Sequence, residues 1–274
     1  MKKRKKVIPG FGLSMGFTLT YLSLMVLIPL STIILKGSEM GIGDFFKIVT
    51  DERVVASYKV SLICALIAAL INSIFGVILA WVLVRYKFPF KRILDGLIDL
   101  PFALPTAVAG IALTTLYSKN GLIGKWLYSI GIQSAFSIFG IVVVLTFIGI
   151  PFVVRTIQPV LEEFDVQYEE AAMMLGAGRT RTFLKVIFPE ILSPLLTGFG
   201  LALARGMGEY GSVVFISGNM PMRTEIAPLL IMSKLEQFDY KGATSIALVM
   251  LIISFLILFL INLLALRTNK FIKG

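Results

Sequence analysis

Histidine is absent from this 274-residue sequence, and cysteine occurs once, at Cys64. The first absence removes the commonest acid–base and zinc-binding side chain, and the second rules out an internal disulfide. Charge is scarce as well. Asp, Glu, Lys and Arg make up 15% of the residues, against about 25% in ordinary soluble domains. No repeat of 20–50 residues and no low-complexity linker is found, so one domain over 1–274 is the simplest division. An ATP-binding loop is missing too. Gly121-Leu122-Ile123-Gly124-Lys125-Trp126 offers only G-x-x-G-K, and Gly176-Ala177-Gly178-Arg179 lacks the Lys and Ser/Thr pairing. The phosphate-binding loop needs G-x-x-x-x-G-K-[ST]. Any ATP energy must come from another chain. Nor is there a metal-ligand set, a pair of intramembrane carboxylates or a nucleophile–base constellation, which argues against a membrane-embedded enzyme.

What fills the chain is apolar: 57% of the residues, with a mean hydropathy of +0.90. The stretches 11–35, 60–84, 135–154 and 243–266 carry no charge. A fifth, 100–117, holds Pro101, Pro105 and Gly110, and a sixth, 191–216, is apolar except for Arg205 and Glu209. At 1.5 Å per residue each crosses a ~30 Å hydrocarbon core. The expectation is an all-α membrane protein with six spans, at about 11–35, 60–84, 97–117, 135–156, 191–217 and 243–266. Lys2-Lys3-Arg4-Lys5-Lys6 before the first run resembles a signal peptide. That run, however, exceeds a ~7–15-residue h-region and no A-x-A-like site follows, so an uncleaved span is expected.

The net charge of +10 is compatible with nucleic-acid binding, but on so apolar a chain cytoplasmic membrane flanks explain it better. With the N-terminus inside, segments 1–10, 85–96, 155–190 and 267–274 hold 16 cations, and the external segments 36–59, 118–134 and 217–242 hold nine. Both termini are therefore expected in the cytoplasm of a multi-pass protein. Externally, Asp44 precedes Phe45, Phe46, Ile48 and Val49 and reads as a short interfacial helix, either capping the bundle or facing a delivery protein.

The long cytoplasmic loop, about 158–190, is patterned. Leu161, Phe164, Tyr168, Ala171 or Ala172, and Leu175 recur at helical spacing, with Glu162, Glu163, Asp165, Glu169 and Glu170 at the other positions. This predicts an amphipathic helix ending at Gly176, followed by a second helix starting near Thr180 or Thr182 and running toward Pro189. Within the loop, Glu170-Ala171-Ala172, three residues, Gly176, nine residues, then Val186-Ile187-Phe188-Pro189 resembles the EAA signature of bacterial ABC importer permeases. The sequence departs from it by Val for Ile and Phe for Leu.

The resemblance extends over nearly the whole chain. Residues 100–110, Leu-Pro-Phe-Ala-Leu-Pro-Thr-Ala-Val-Ala-Gly, look like the third span of sulfate and molybdate permeases. Arg205-Gly206-Met207-Gly208-Glu209-Tyr210-Gly211 and Ser217-Gly218-Asn219 look like the fifth-span pattern of the same oxyanion group. The stretch 218–243 is most similar to the T-subunit type of sulfate/thiosulfate permease, with molybdate or tungstate permeases as the alternative. The resemblance implies the type I ABC importer permease fold in a bacterial inner membrane, with no cofactor on this chain and ATP bound by a partner. Implied partners are a homologous W-type permease or a second copy, two ATPase subunits, and a periplasmic or lipid-anchored sulfate-binding protein. Implied contacts with the ATPase are Glu169, Glu170, Ala171, Ala172, Gly176 and Pro189.

Two features inside the spans bear on transport. Arg205 and Glu209, four residues apart, are expected on one helix face with Ala202 and Ser212. They either line the translocation path or neutralise each other as a lock, since a mid-membrane charge must face protein or water. Pro101 and Pro105 free backbone carbonyls and mark either a kink near a gate or a packing feature. A passive channel or scaffold leaves the patterned loop unexplained, and its pore would be expected to show rings of polar residues.

Overall fold

The computed structural model describes residues 11–38 and 40–273, and among these every regular element is helical. The basic cluster Lys2–Lys6 lies outside the described residues. Five helices are long and apolar enough to cross a membrane: α1 (Phe11–Gly37), α3 (Glu52–Arg85), α7 (Ile138–Glu163), α9 (Arg179–Met207) and α11 (Tyr240–Arg267). Shorter helices lie between them: α2 (Ile42–Val49), α4 (Lys91–Ile98), α5 (Thr106–Tyr117), α6 (Leu122–Ser129), α8 (Val166–Met174) and α10 (Ala227–Glu236). The interfacial helix read from Asp44 onward is α2.

The core is a triad of α3, α7 and α9, held close by small residues. A Cβ on Gly76 of α3 would lie 2.6 Å from Val153 of α7, and one on Gly198 of α9 would lie 2.8 Å from the Val153 Cα. Gly206 sits against Ala65, where a Cβ would be 3.2 Å from the alanine methyl. Lipid is as apolar as these side chains, so close backbone packing rather than the hydrophobic effect draws the helices together. Outside the triad, α11 crosses α9 at Gly200 and Ile261, and α1 meets α11 where Gly37 approaches Leu248. The first half of α1, Phe11–Leu22, buries no residue. Its Leu13 is 84% exposed, the pattern of a helix face suited to lipid.

Two stretches read as continuous spans are interrupted. The segment 97–117 divides into a single turn, Leu100–Ala103, and α5, because Pro105 forces Leu104 out of the α region into extended backbone at ψ 136°. The segment 191–217 is helical only to Met207. Gly208 caps α9, and a single turn, Val213–Ile216, follows a four-residue loop. At its other end α9 begins twelve residues earlier than expected, at Arg179. The second helix of the loop and the fifth span are therefore one rod.

Candidate functional site: a broken-helix junction and a helical hairpin

The two interruptions meet. A Cβ on Gly110 of α5 would lie 2.7 Å from the Ser212 Cα, and one on Gly211 would collide with the Thr106 hydroxyl. The loop 208–212 thus lies backbone against backbone on the first turns of α5. Contact this close leaves no room for a side chain on Gly110, which is the physical reason for glycine there. Pro101 is buried beside the break, whereas Pro105 is exposed.

Arg205 sits in the last turn of α9, but Glu209 and Ser212 lie beyond the helix end, not on a shared helical face as expected. Gly208 stops the helix, and its N–H turns back to the carbonyls of Ala204 and Gly206. Even so, Arg205 and Glu209 form an ion pair. Glu209 Oε1 also accepts the Ser212 backbone N–H at 3.0 Å and its hydroxyl at 2.8 Å. Glu209 is 1% exposed, and each carboxylate oxygen has a partner, as a buried charge requires. The Arg205 side chain, although ion-paired, remains 36% exposed.

The hairpin between α7 and α9 is built differently from the expected amphipathic helix. α7 runs to Glu163, and Asp165 then caps a new helix, α8, by accepting the Gln167 N–H at 3.0 Å. This cap begins a new helix, so the apolar positions counted from Leu161 to Leu175 are divided between α7 and α8. Leu161 is fully buried, but Tyr168 is 63% and Leu175 89% exposed, and α8 buries no residue completely. Met174 and Leu175 stand out at the tip, an apolar knob of the kind that marks an interaction site. Glu170 and Ala171 are exposed, and Ala172 is half-buried.

The end of α8 explains the spacing from alanine to glycine in the motif. The Ala177 N–H reaches the Ala172 carbonyl at 3.0 Å, and the Gly176 N–H reaches that of Met173 at 2.9 Å. Gly176 has φ +81°. This paired pattern with a left-handed glycine is the Schellman cap. Gly178, not Thr180 or Thr182, precedes the next helix as its N-cap. Pro189 lies inside α9, just past a wide turn, Phe183–Ile187, where the Phe188 N–H bonds back to Phe183. A proline has no N–H and its ring crowds the preceding turn, which accounts for the local unwinding.

Three ionic clusters escaped sequence reasoning because their partners come from distant segments. Arg155 on α7 holds Asp95 at 2.7 Å and Asp99 at 2.6 Å, tying α4 to the core. Arg53 at the start of α3 grips the buried Glu225 carboxylate with two hydrogen bonds of 2.7 Å, across 172 residues. Arg85 at the end of α3 pairs with Glu169 of α8 at 2.6 Å. Only the last residue had been singled out beforehand, as a contact for another protein. Outside the spans, Asp239 accepts from the Lys234 ammonium and the Gly242 N–H, both at 2.9 Å. Those two partners hold its carboxyl below the usual range.

A helical membrane core, a protruding hairpin and a broken-helix junction suit a transport permease fold. Similarity to solved structures agrees. The fold matches a bacterial ABC transporter involved in the import of the acidic polysaccharide alginate with a TM-score of 0.74 at 13% identity, over 94% of this chain and 96% of that one. It matches the MetNI methionine ABC transporter with a TM-score of 0.59 at 16% identity, over 84% of this chain and 99% of that one.

Residues 72–273 match the family model described as binding-protein-dependent transport system inner membrane component, and the chain belongs to that family. It is 46% identical to the sulfate transport system permease protein CysT of Escherichia coli (strain K12), over 98% of both chains. To the protein of that description from Synechocystis sp. (strain ATCC 27184 / PCC 6803 / Kazusa) it is 47% identical, over 90% of this chain and 86% of that one. The chain is thus a multi-pass inner-membrane permease component of an ABC importer, a subunit that itself carries no catalysis.

Proposed function

We propose that this permease carries sulfate, with thiosulfate as the related substrate. The observation that carries the reading is the 46% identity to a sulfate permease over 98% of both chains, a span that includes the junction and the hairpin. In this reading the chain pairs with a homologous W-type permease or a second copy, two ATPase subunits bind ATP, and an extracytoplasmic sulfate-binding protein delivers the anion. The segment 97–117 serves as the sixth span despite its break, and both termini are cytoplasmic. Irregular backbone at membrane depth is tolerated where it is buried in protein or lines a cavity, which supports Pro101, Pro105, Arg205, Glu209 and Ser212 as part of the path. Arg205 offers a dianion charge-assisted hydrogen bonds, while Glu209 keeps the binding weak enough for release.

Glu170, Ala171, Ala172, Gly176 and the exposed tip of α8 seat on the ATPase, and Pro189 shapes the rod behind them. Glu169 contributes from the inner face of α8.

Uptake of radiolabelled sulfate by proteoliposomes holding the whole complex tests the substrate. Sulfate uptake suppressed by excess thiosulfate but not by equimolar molybdate is expected, and molybdate uptake without sulfate uptake overturns the reading. Topology is tested by cysteine labelling in a Cys64→Ala background. Gly178→Cys should resist impermeant reagents applied outside, while Asn120→Cys should react, and the reverse pattern refutes the orientation.

A further inference from the structure

Seating α8 on an ATPase moves nothing in the membrane unless α8 is joined to the spans. The join is narrow. No residue of α8 is fully buried, and an open groove of about 640 Å³ separates it from the bundle, lined by Trp81, Glu169, Met173, Arg179 and Phe183 among others. Across this groove a charged side chain of α3 reaches α8. Arg85 closes the last turn of α3 with its side chain 16% exposed, and its Nη2 lies 2.6 Å from the Glu169 carboxylate, itself 13% exposed.

The same Nη2 donates to the Phe164 carbonyl at 3.4 Å, at the break where α7 ends and α8 begins. The guanidinium carbon stands 5.7 Å from the Trp81 ring centre. Trp81 meets Phe183 edge to face at 5.4 Å, and Phe183 opens the wide turn that leads the hairpin into α9. One cation therefore touches α8, the α7–α8 break and, through a tryptophan, the root of α9.

The contact is also incomplete. Glu169 Oε1 is held by Arg85 Nη2 at 2.6 Å, but Arg85 Nε, shielded from solvent, has no hydrogen-bond partner.

Resting on the reading that α8 seats on the ATPase, we propose that Arg85 is the positioning residue that passes displacement of α8 to α3 and α9, with Glu169 as its handle rather than as a contact for the ATPase. Arg85→Gln should then leave α8 docked and ATP hydrolysed, while the sulfate carried per ATP falls. Coupling between two sites in proteins spans about 5–150-fold, so a fall of at least about fivefold is expected.

The experiment uses the full complex in proteoliposomes, with sulfate as substrate and Met174→Cys as a crosslinking probe for docking to the ATPase. Compared are the unaltered pair, Arg85→Gln, Glu169→Gln, Arg85→Lys, and the exchange Arg85→Glu with Glu169→Arg. The two glutamine variants are expected to keep the crosslink and lose sulfate per ATP. Arg85→Lys should be intermediate, since it keeps the charge without the planar fork, and the exchange should recover part of the loss. Sulfate per ATP within twofold of the parent in both glutamine variants overturns the proposal. Parallel loss of crosslink, ATP hydrolysis and complex yield in those variants also overturns it, because that is the behaviour of a staple. Absence of the crosslink in the chain altered only at Met174 refutes the seating of α8 itself, a failure distinct from that of the clamp.

Discussion

Removing the Glu209 carboxylate should be among the most damaging single changes in this chain. In Glu209→Ala, Arg205 loses its ion-pair partner, and Ser212 loses the acceptor of both its N–H and its hydroxyl. Stripping one partner from a buried pair costs about 3–5 kcal/mol. Arg205 keeps its side chain 36% exposed, so solvent relieves part of the stranded charge and the low end applies. Hydrogen bonds to a charged group are worth about 1.5–3 kcal/mol each, but they act on the same atoms and do not add. We therefore expect a loss of about 3 kcal/mol, roughly 150-fold in the folding equilibrium. Glu209→Gln retains an acceptor for Ser212 and should cost about 1–2 kcal/mol. Thermal unfolding and yield of the detergent-solubilised complex provide the assay. An unfolding midpoint for Glu209→Ala equal to that of the parent would refute the reasoning. The pair Arg205→Gln with Glu209→Gln separates lock from path: yield should recover while sulfate uptake stays low. Full recovery of uptake in that double variant rules out an anion-sensing role for Arg205.

Gly176 has a left-handed φ and no atom within 4 Å of where a Cβ would stand, so substitutions act through backbone strain of about 1–2 kcal/mol. Uptake should fall in the order Gly, Asn, Ala, Val, and a fully active Gly176→Val would contradict the Schellman cap. Gly110→Val places side-chain atoms into the Ser212 backbone, and overpacking of this kind costs about 1–3 kcal/mol. A lowered unfolding midpoint is expected, and an unchanged one would count against the junction. Asp239 caps the start of α11, so Asp239→Ala should destabilise by about 0.5–2 kcal/mol at neutral pH. Its carboxyl is held below the usual range, so its contribution is present above the unfolded value of about 3.9 and is lost as pH falls through the lower folded value. The gap between parent and variant should therefore close in strong acid, and a gap independent of pH would contradict the assignment.

Periodicity and spacing spoke clearly for single helices and for single turns. The long apolar runs located α1, α3, α7 and α11, and the motif glycine announced its positive φ. The same reasoning misjudged what depends on where one helix stops. Asp165 ends one helical phase and begins another, so a stripe counted through it ran two helices together as one. Gly208 likewise removed Glu209 from the helix that carries Arg205. The ionic joins were out of reach for another reason. Arg53 and Glu225 stand 172 residues apart, and Arg155 finds Asp95 and Asp99 at separations of 60 and 56. Nothing local to an arginine says which distant carboxylate the bundle will bring to it.

The two helix breaks make better sense together than apart. Each alone would leave backbone groups without partners in a medium that supplies none. At the first, Pro105 lacks an N–H to orphan, and the Leu104 N–H still reaches the Leu100 carbonyl at 3.0 Å. At the second, the freed Ser212 N–H is taken by Glu209, whose charge is in turn answered by Arg205. Gly110 then lets the second break lie directly on the helix that follows the first. The carboxylate thus has a structural task that uses both its oxygens, while the Arg205 side chain stays 36% exposed. If a single residue of this pair senses the anion, the geometry favours Arg205, and Glu209 serves by holding it there.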